Sequence, residues 1–380
     1  MEINSKLPGV SVNIFTQMSQ LAQTHNALNL SQGFPDFDVN PELTALVKSY
    51  MDKGFNQYAP MQGIPALKEG IRKKVQKLYG ADYDSETEIT ITSGATEALF
   101  AAITTIINPG DEVIIMEPAY DSYVPAIRLN KGIPVFIKMK YPDYHIDWDE
   151  VADAITDKTR LIILNSPHNP TGTTFKAKDM EALAQILAGT SILILSDEVY
   201  EHIVFDNIEH QSIARYPELK ERSFVVSSFG KTYHTTGWKV GYCLAPKFLS
   251  RELQRIHQYL TFSTITPIQY ALADIMEQED LYLGLSDFYQ KKRDYFLSLL
   301  VRSRFIPRPC QGTYFLMMDY SKISTEDDNT FARKMTIEHG VAAIPPSFFY
   351  HEKDDHKVLR FCFAKKDDTL EKAAEVLCRI

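Results

Sequence analysis

Ile192-Leu193-Ile194-Leu195-Ser196-Asp197-Glu198-Val199-Tyr200 decides how this chain is read. Four branched apolar residues in a row leave no polar face, which fits a strand buried on both sides of a sheet. An aspartate follows at once, and a carboxylate at the end of a buried strand is costly unless it meets a cation. The same pattern recurs on either side. Apolar, β-branched runs lie at Ile89–Thr92, Glu112–Met116, Pro134–Met139, Leu161–Asn165, Ile192–Ser196, Phe224–Ser227 and Val240–Leu244. Helical patterns at Thr96–Ile107, Trp148–Ile155 and Ala177–Ala188 separate several of them. Strand–helix–strand alternation predicts right-handed crossovers and an α/β domain with a mainly parallel, seven-stranded sheet. Ligands of such sheets bind outside the carboxyl ends of the strands, so the polar residues after each run are the ones to examine.

Beyond Thr266 the pattern changes. Long amphipathic stretches at Pro267–Glu279 and Leu285–Ser303 precede strand patterns at Tyr314–Met318 and Leu359–Phe363 and helical ones at Thr330–His339 and Leu370–Leu377. This predicts a smaller α+β domain, made of residues 1–45 and 285–380, beside a large domain at 46–284. The length, 380 residues, favours two domains over one core. A 44% apolar and 23% charged composition is that of a soluble globular protein. The net charge of −9 repels polyanions, so nucleic acid is not an expected partner. No apolar run is long enough for a bilayer, and Met1 to Phe15 lacks the apolar region of a secretory signal. Cys243, Cys310, Cys362 and Cys378 form no metal or CxxC spacing and read as reduced thiols, which fits the cytoplasm. The tract His351–His356 reads as a solvated loop and not as a metal site.

Five clusters carry chemistry. Ser93-Gly94-Ala95-Thr96-Glu97 turns from a strand into a helix, whose free N–H groups and dipole suit a phosphate; an ordinary helix cap is the alternative. In Asn165-Ser166-Pro167-His168-Asn169-Pro170-Thr171-Gly172, two prolines stiffen a loop that presents Asn169. Asp197 and Tyr200 form the third cluster. In Ser227-Ser228-Phe229-Gly230-Lys231 a lysine follows a buried strand, with a second cation, Lys239, eight positions on. Arg360 sits in the apolar run Val358–Phe363 and needs a partner, either an internal acid or a substrate carboxylate bound by two parallel hydrogen bonds.

These motifs, taken in order, resemble the class I/II aminotransferases of fold type I that use pyridoxal 5′-phosphate (PLP). Within them the chain is most similar to the group of kynurenine aminotransferases (glutamine transaminase K) and bacterial methionine aminotransferases. The resemblance runs from Leu30-Ser31-Gln32-Gly33-Phe34-Pro35-Asp36 to Leu359-Arg360-Phe361-Cys362-Phe363. It includes Asn56-Gln57-Tyr58, Glu117-Pro118-Ala119-Tyr120-Asp121, Asn169-Pro170-Thr171-Gly172 and Gly312-Thr313-Tyr314-Phe315. It implies that Lys231 carries the cofactor and moves the substrate's α-proton. It also implies that Asp197 faces the ring nitrogen, that Tyr200 and Asn169 bond the ring's 3-oxygen and that Tyr120 stacks on the ring. The backbone of Ala95 and Thr96, with Ser228 and Lys239, would hold the phosphate. Tyr58 would reach the phosphate of the neighbouring subunit, which implies a homodimer. Arg360 and the backbone at Gly33 would take the substrate carboxylate. Many relatives have arginine where Lys239 stands, so this clamp is a point charge and not a fork.

An amino group is then expected to pass from an amino acid to a 2-oxo acid. For Lys231 to act as a base near neutrality, its pKa must fall by roughly three units from about 10.4, a cost of about 4 kcal/mol. The motif aromatics Tyr58, Tyr120, Tyr314 and Phe315, with Phe348, Phe349 and Tyr350, favour large neutral donors such as methionine, aromatic amino acids, kynurenine or glutamine. No second arginine in a site motif offers a partner for a distal carboxylate. A PLP-dependent cysteine-conjugate β-lyase is the alternative within the same fold. A DNA-linked sensor is not expected without a basic helix-turn-helix extension. A Rossmann dehydrogenase is not expected without GxGxxG after the first strand.

Overall fold

The computed structural model describes residues 3–10 and 12–380. Seven strands form one sheet: β1 (Ile89–Thr92), β2 (Glu112–Glu117), β3 (Ile133–Lys138), β4 (Thr159–Asn165), β5 (Leu193–Asp197), β6 (Ser223–Ser228) and β7 (Gly241–Leu244). Their order is β1-β7-β6-β5-β4-β2-β3. β7 runs antiparallel to both its neighbours and every other pair is parallel. Each strand falls within two residues of its sequence pattern. The reversal at β7 has a local cause. Between β6 and β7 the chain forms only one helical turn, Phe229–Thr232, and a 3-10 turn, Thr236–Trp238. That is too little to carry a helix back across the sheet.

Burial on both faces explains why the strands are apolar throughout. Ile114, Met116, Ile162, Leu164 and Ile194 belong to one core. Their neighbours Val113, Ile115, Leu161, Ile163 and Leu195 belong to the other. Each such side chain contributes roughly 1.5–3 kcal/mol by leaving water. The helix Gly94–Ile106 packs on the second face through Ala98, Ala101 and Ala102, whose small side chains bring its axis close to the strands.

A third core lies towards the C-terminus. Phe315–Asp319 pairs antiparallel with Val358–Cys362 and with Ile306–Pro307. The helices Leu285–Leu299 and Asp367–Leu377 cover this small sheet, with Phe296, Phe361, Phe363, Leu370 and Leu377 wholly buried. The N-terminal helix Ile14–Thr24 adds Ile14 and Met18, and Leu28–Asn29 pairs in parallel with Val341–Ala342. Tyr200, Ile203 and Phe205, which follow β5, are also buried in this third core. The helix read at Thr330–His339 begins earlier, as Asp328–Lys334, and continues through a π-helical turn, Met335–His339.

The tract His351–His356 is not simply solvated. His351 stacks on Phe136 at 4.1 Å and bonds the buried Glu117 carboxylate at 2.8 Å, while His356 stacks on Tyr141 at 4.7 Å. The four cysteines are unpaired. Among the described residues no helix is long and apolar enough to cross a membrane.

Candidate active site

A cavity of about 270 Å³ opens at the carboxyl edge of the parallel strands, between the large sheet and the C-terminal core. Because β7 is reversed, its start lies at that edge too, and this brings Lys239 beside Gly94 and Ala95. Gly94 has φ +76°, and a side chain there would approach the Lys239 ammonium to 3.3 Å. A β-carbon on Gly241 would stand 2.8 Å from the Ala95 nitrogen, so glycine lets β7 pass directly behind the helix start. Ala95 and Thr96 lie in the first turn of Gly94–Ile106, where N–H groups have no partner inside the helix. Ser228, at the end of β6, closes this side of the cavity, and Tyr120 forms a wall.

Asp197 ends β5 with 3% of its surface exposed. Its carboxylate accepts hydrogen bonds from the Tyr123 hydroxyl at 2.7 Å and, more weakly, from the Val199 N–H at 3.4 Å. Among the described residues no cation stands within ion-pair distance of it. Burial raises its pKa to about 6, against the pull of Tyr123. The Asn165 amide ties this strand end to the loop before it: its nitrogen donates to the Asp197 carbonyl at 2.9 Å, and its oxygen accepts from the Asn169 N–H at 2.8 Å.

Lys231 enters from the single helical turn after β6. Its ammonium donates to the Tyr314 hydroxyl oxygen at 2.9 Å and to the Gly33 carbonyl at 3.2 Å. Burial lowers its pKa from 10.5 to about 8, most of the shift that a base working near neutrality needs. Tyr200 presents its ring 5.4 Å from the Lys231 nitrogen.

Arg360 is only 1% exposed, and no carboxylate among the described residues is within ion-pair distance of it. The internal acid considered from sequence is therefore not there. Its guanidinium lies 3.9 Å from the Phe315 ring centroid and donates to the Asn169 side-chain oxygen at 2.8 Å and the Ser31 carbonyl at 2.9 Å. Its Nε is buried with no partner. Gly33 crosses the same ring: a β-carbon there would lie 2.5 Å from Phe315.

Ala95, Thr96, Tyr120, Asn169, Asp197, Tyr200, Ser228, Lys231, Lys239, Gly33 and Arg360 thus converge on one cavity. Tyr58 does not join them. It is 82% exposed and packs edge-on against Phe262 at 5.1 Å. Phe348, Phe349 and Tyr350 do not line the cavity either. Phe349 is buried behind it, against Phe15 at 5.8 Å. The apolar lining comes instead from Phe15, Phe34, Leu99, Val199 and Phe315.

Sequence reasoning also missed Tyr123 and a buried ion pair behind the site. Lys74 and Glu201 meet at 2.7 Å, and Ser227 and Tyr242 also donate to that carboxylate. Burial alone would raise the Glu201 pKa, but the Lys74 ammonium holds it well below the usual carboxylate range. The visible signal was the third acid in Asp197-Glu198-Val199-Tyr200-Glu201. Lys74 lies too far away in the chain to be paired with it by inspection.

The comparisons with known proteins agree with this architecture. The model for "Aminotransferase class I and II" matches residues 25–377. Methionine aminotransferase of Escherichia coli (strain K12) is 53% identical over 374 residues, covering 98% of this chain and 97% of its own. A kynurenine–oxoglutarate transaminase of Dictyostelium discoideum is 38% identical, covering 97% of this chain and 94% of its own. Among solved structures, one from Escherichia coli identified with a methionine aminotransferase function superposes with a TM-score of 0.98 at 52% identity, both chains covered in full. N-succinyldiaminopimelate aminotransferase from Mycobacterium tuberculosis reaches 0.95 at 35%, again with both chains covered in full. The fold is that of aminotransferase fold type I, as the sequence motifs implied. A family match over nearly the whole length, on a chain whose motif residues meet in one cavity, makes this protein a member of the class I and II aminotransferases.

Proposed function

We propose that this enzyme uses PLP to transfer the amino group of large neutral amino acids, methionine foremost, to a 2-oxo acid. The observation that carries the reading is Arg360: a buried guanidinium with no carboxylate of its own and an unpartnered Nε, in the same cavity as Lys231. Keeping such a cation buried is costly unless a ligand completes it. An α-carboxylate is the planar, bidentate partner that guanidinium fits.

The residues present fit the cofactor. Asp197 is a buried carboxylate lacking a cation, which a protonated ring nitrogen would supply. The N–H groups of Ala95 and Thr96, with Ser228 and Lys239, would form an anion cradle whose entry, Gly94, has φ +76°, a backbone that favours glycine. Lys231 would carry the group, Tyr120 would flank the ring, and Tyr200 and Asn169 would bond its 3-oxygen. The phosphate would also be met by Tyr58 of the partner subunit. Bound there, PLP supplies an electron sink for the bond that breaks at the substrate's α-carbon. The chain's own work is to seat the carboxylate on Arg360, to keep Asp197 ionised against the ring and to move the α-proton with the Lys231 amine.

The exposed aromatic pair Tyr58–Phe262, beside Tyr259 and Ile265, favours a homodimer. Unpaired cysteines favour the cytoplasm. The meeting of two cores at the cavity favours domains at 46–284 and at 1–45 with 285–380.

The apolar lining by Phe15, Phe34, Leu99, Val199 and Phe315 favours apolar or thioether side chains over a second carboxylate. With one 2-oxo acid fixed, methionine and phenylalanine should exceed aspartate in kcat/KM; aspartate as the best of the three would refute the donor class. Arg360→Leu should raise the KM for amino acids by tenfold or more, since each lost bond to a charged group is worth about 1.5–3 kcal/mol. PLP affinity should change far less. Unchanged KM values in that variant would remove Arg360 from substrate binding.

A further inference from the structure

We propose that Tyr314 is a positioning residue for the Lys231 amine, holding it on two acceptors so that one valence stays free for the substrate proton. The inference rests on the aminotransferase reading above and names a residue which that reading does not use.

The hydrogen-bond arithmetic leads to this. A phenol has one proton to give, and Tyr314 gives it to the Gly33 carbonyl at 2.6 Å. Its oxygen is then the acceptor for the Lys231 N–H at 2.9 Å. Lys231 donates a second N–H to the same Gly33 carbonyl at 3.2 Å. Three groups close into a ring of hydrogen bonds, and two of the amine's hydrogens are committed. What remains is the lone pair of the neutral amine or the third hydrogen of the ammonium. That valence is the one exchanged when the substrate's C–H bond breaks, its electrons stay on carbon, and the proton passes to nitrogen. Returning the proton reverses the same exchange.

The phenol is held where it cannot drift. Tyr314 is wholly buried, with the rings of Tyr200, Tyr289 and Phe315 at 5.2, 5.5 and 5.0 Å. The turn before it is fastened as well. Thr313 has φ +64°, an uncommon backbone for a β-branched residue, and its N–H bonds the Ile203 carbonyl at 2.9 Å. Gly312 is pressed so closely between Pro167 and the Ile203 carbonyl that a β-carbon would come within 2.8 Å of both. Chain segments that also carry Asn169 and Tyr200 therefore set where the phenol stands. Gly33 joins the ring from the loop that would take the substrate carboxylate, so the amine and that loop share one anchor.

A purely structural role, in which the hydroxyl only satisfies the Gly33 carbonyl, makes different predictions. Tyr289→Phe is the control: its hydroxyl is buried without a partner, and its ring is in the same aromatic cluster. Wild type, Tyr314→Phe and Tyr289→Phe holoenzymes should be compared for bound PLP, thermal midpoint, and kcat and KM with methionine and α-deuterated methionine. In Tyr314→Phe, kcat should fall about tenfold or more, the loss of one hydrogen bond to a charged group, with KM within about threefold. Its deuterium effect on kcat should grow, because proton transfer becomes slower relative to the other steps. Tyr289→Phe should match wild type throughout. An unchanged kcat and isotope effect in Tyr314→Phe would overturn the proposal. So would a loss of turnover that merely tracks lost PLP or a fallen thermal midpoint. A wild type that turns over no amino acid at all would sink the aminotransferase reading itself, and this inference with it.

Discussion

Lys231→Ala is expected to purify without the yellow colour of the wild type and to lose transamination by about 10⁴-fold or more, the upper range for removing a general acid–base group. The reasoning begins with burial. The amine sits between the rings of Tyr200 and Tyr314, and burial brings its pKa down to about 8. At pH 7.5 about a quarter of such amines are neutral, against roughly one in a thousand at the ordinary lysine value. The sign of the pH dependence follows: a base must be neutral to act, so kcat should rise with pH and level off above about 8. The other lysine lining the cavity is Lys239, beside Gly94 on the phosphate side. Borohydride reduction of the wild type should therefore fix the cofactor to a peptide containing Lys231. A label on Lys239 would show the assignment to be wrong.

Asp197→Asn is expected to keep the fold and the bound cofactor and to lose about 10²–10³-fold in kcat, the range seen when one preorganised electrostatic partner is removed. The amide has the same shape, and the Tyr123 hydroxyl can still donate to its oxygen, so circular dichroism should not change. What disappears is the negative charge. With no cation among the described residues within ion-pair distance, burial holds this carboxyl at about 6. A protonated ring nitrogen beside it would favour the ionised form, and by reciprocity the carboxylate keeps that nitrogen protonated. Wild-type turnover in the asparagine variant would take Asp197 out of the mechanism.

The large sheet was legible in the sequence because its strands are buried on both faces. A run such as Leu161–Asn165 has no polar side to confuse with a helix stripe. The direction of β7 was not legible, since a strand pattern carries no sign and only the shortness of the Phe229–Val240 connection reverses it. The helix Pro65–Tyr79 escaped notice for a different reason. Its buried face includes Lys68 and Lys74 among Leu67, Ile71 and Val75, so its apolar periodicity is broken by two charges that tertiary contacts satisfy.

The cavity was legible wherever a candidate residue ends a strand, as Asp197 and Ser228 do, or lies in the loop that leaves one, as Asn169 does. It was not legible where placement depends on distant segments. Tyr314 meets Lys231 across 83 residues, and Lys74 meets Glu201 across 127. The aromatics after Pro346 were expected along the site, yet Phe349 packs against Phe15, from an N-terminal helix not named in the sequence reading, and Tyr350 packs edge-on against His356. Arg360 was the reverse case. Its isolation in an apolar strand posed the question of a partner, and among the described residues no carboxylate stands within ion-pair distance of it.

The most direct test of the account is a single half reaction watched by absorbance. The purified PLP-loaded enzyme is mixed with excess methionine and no 2-oxo acid, and the spectrum is followed. Conversion of the PLP band to that of pyridoxamine phosphate, one 2-oxo acid released per site, and recovery of the original band on adding a 2-oxo acid are the predicted results. A stable PLP spectrum with methionine and phenylalanine alike, or continuous 2-oxo acid and ammonia release with no acceptor present, would contradict it.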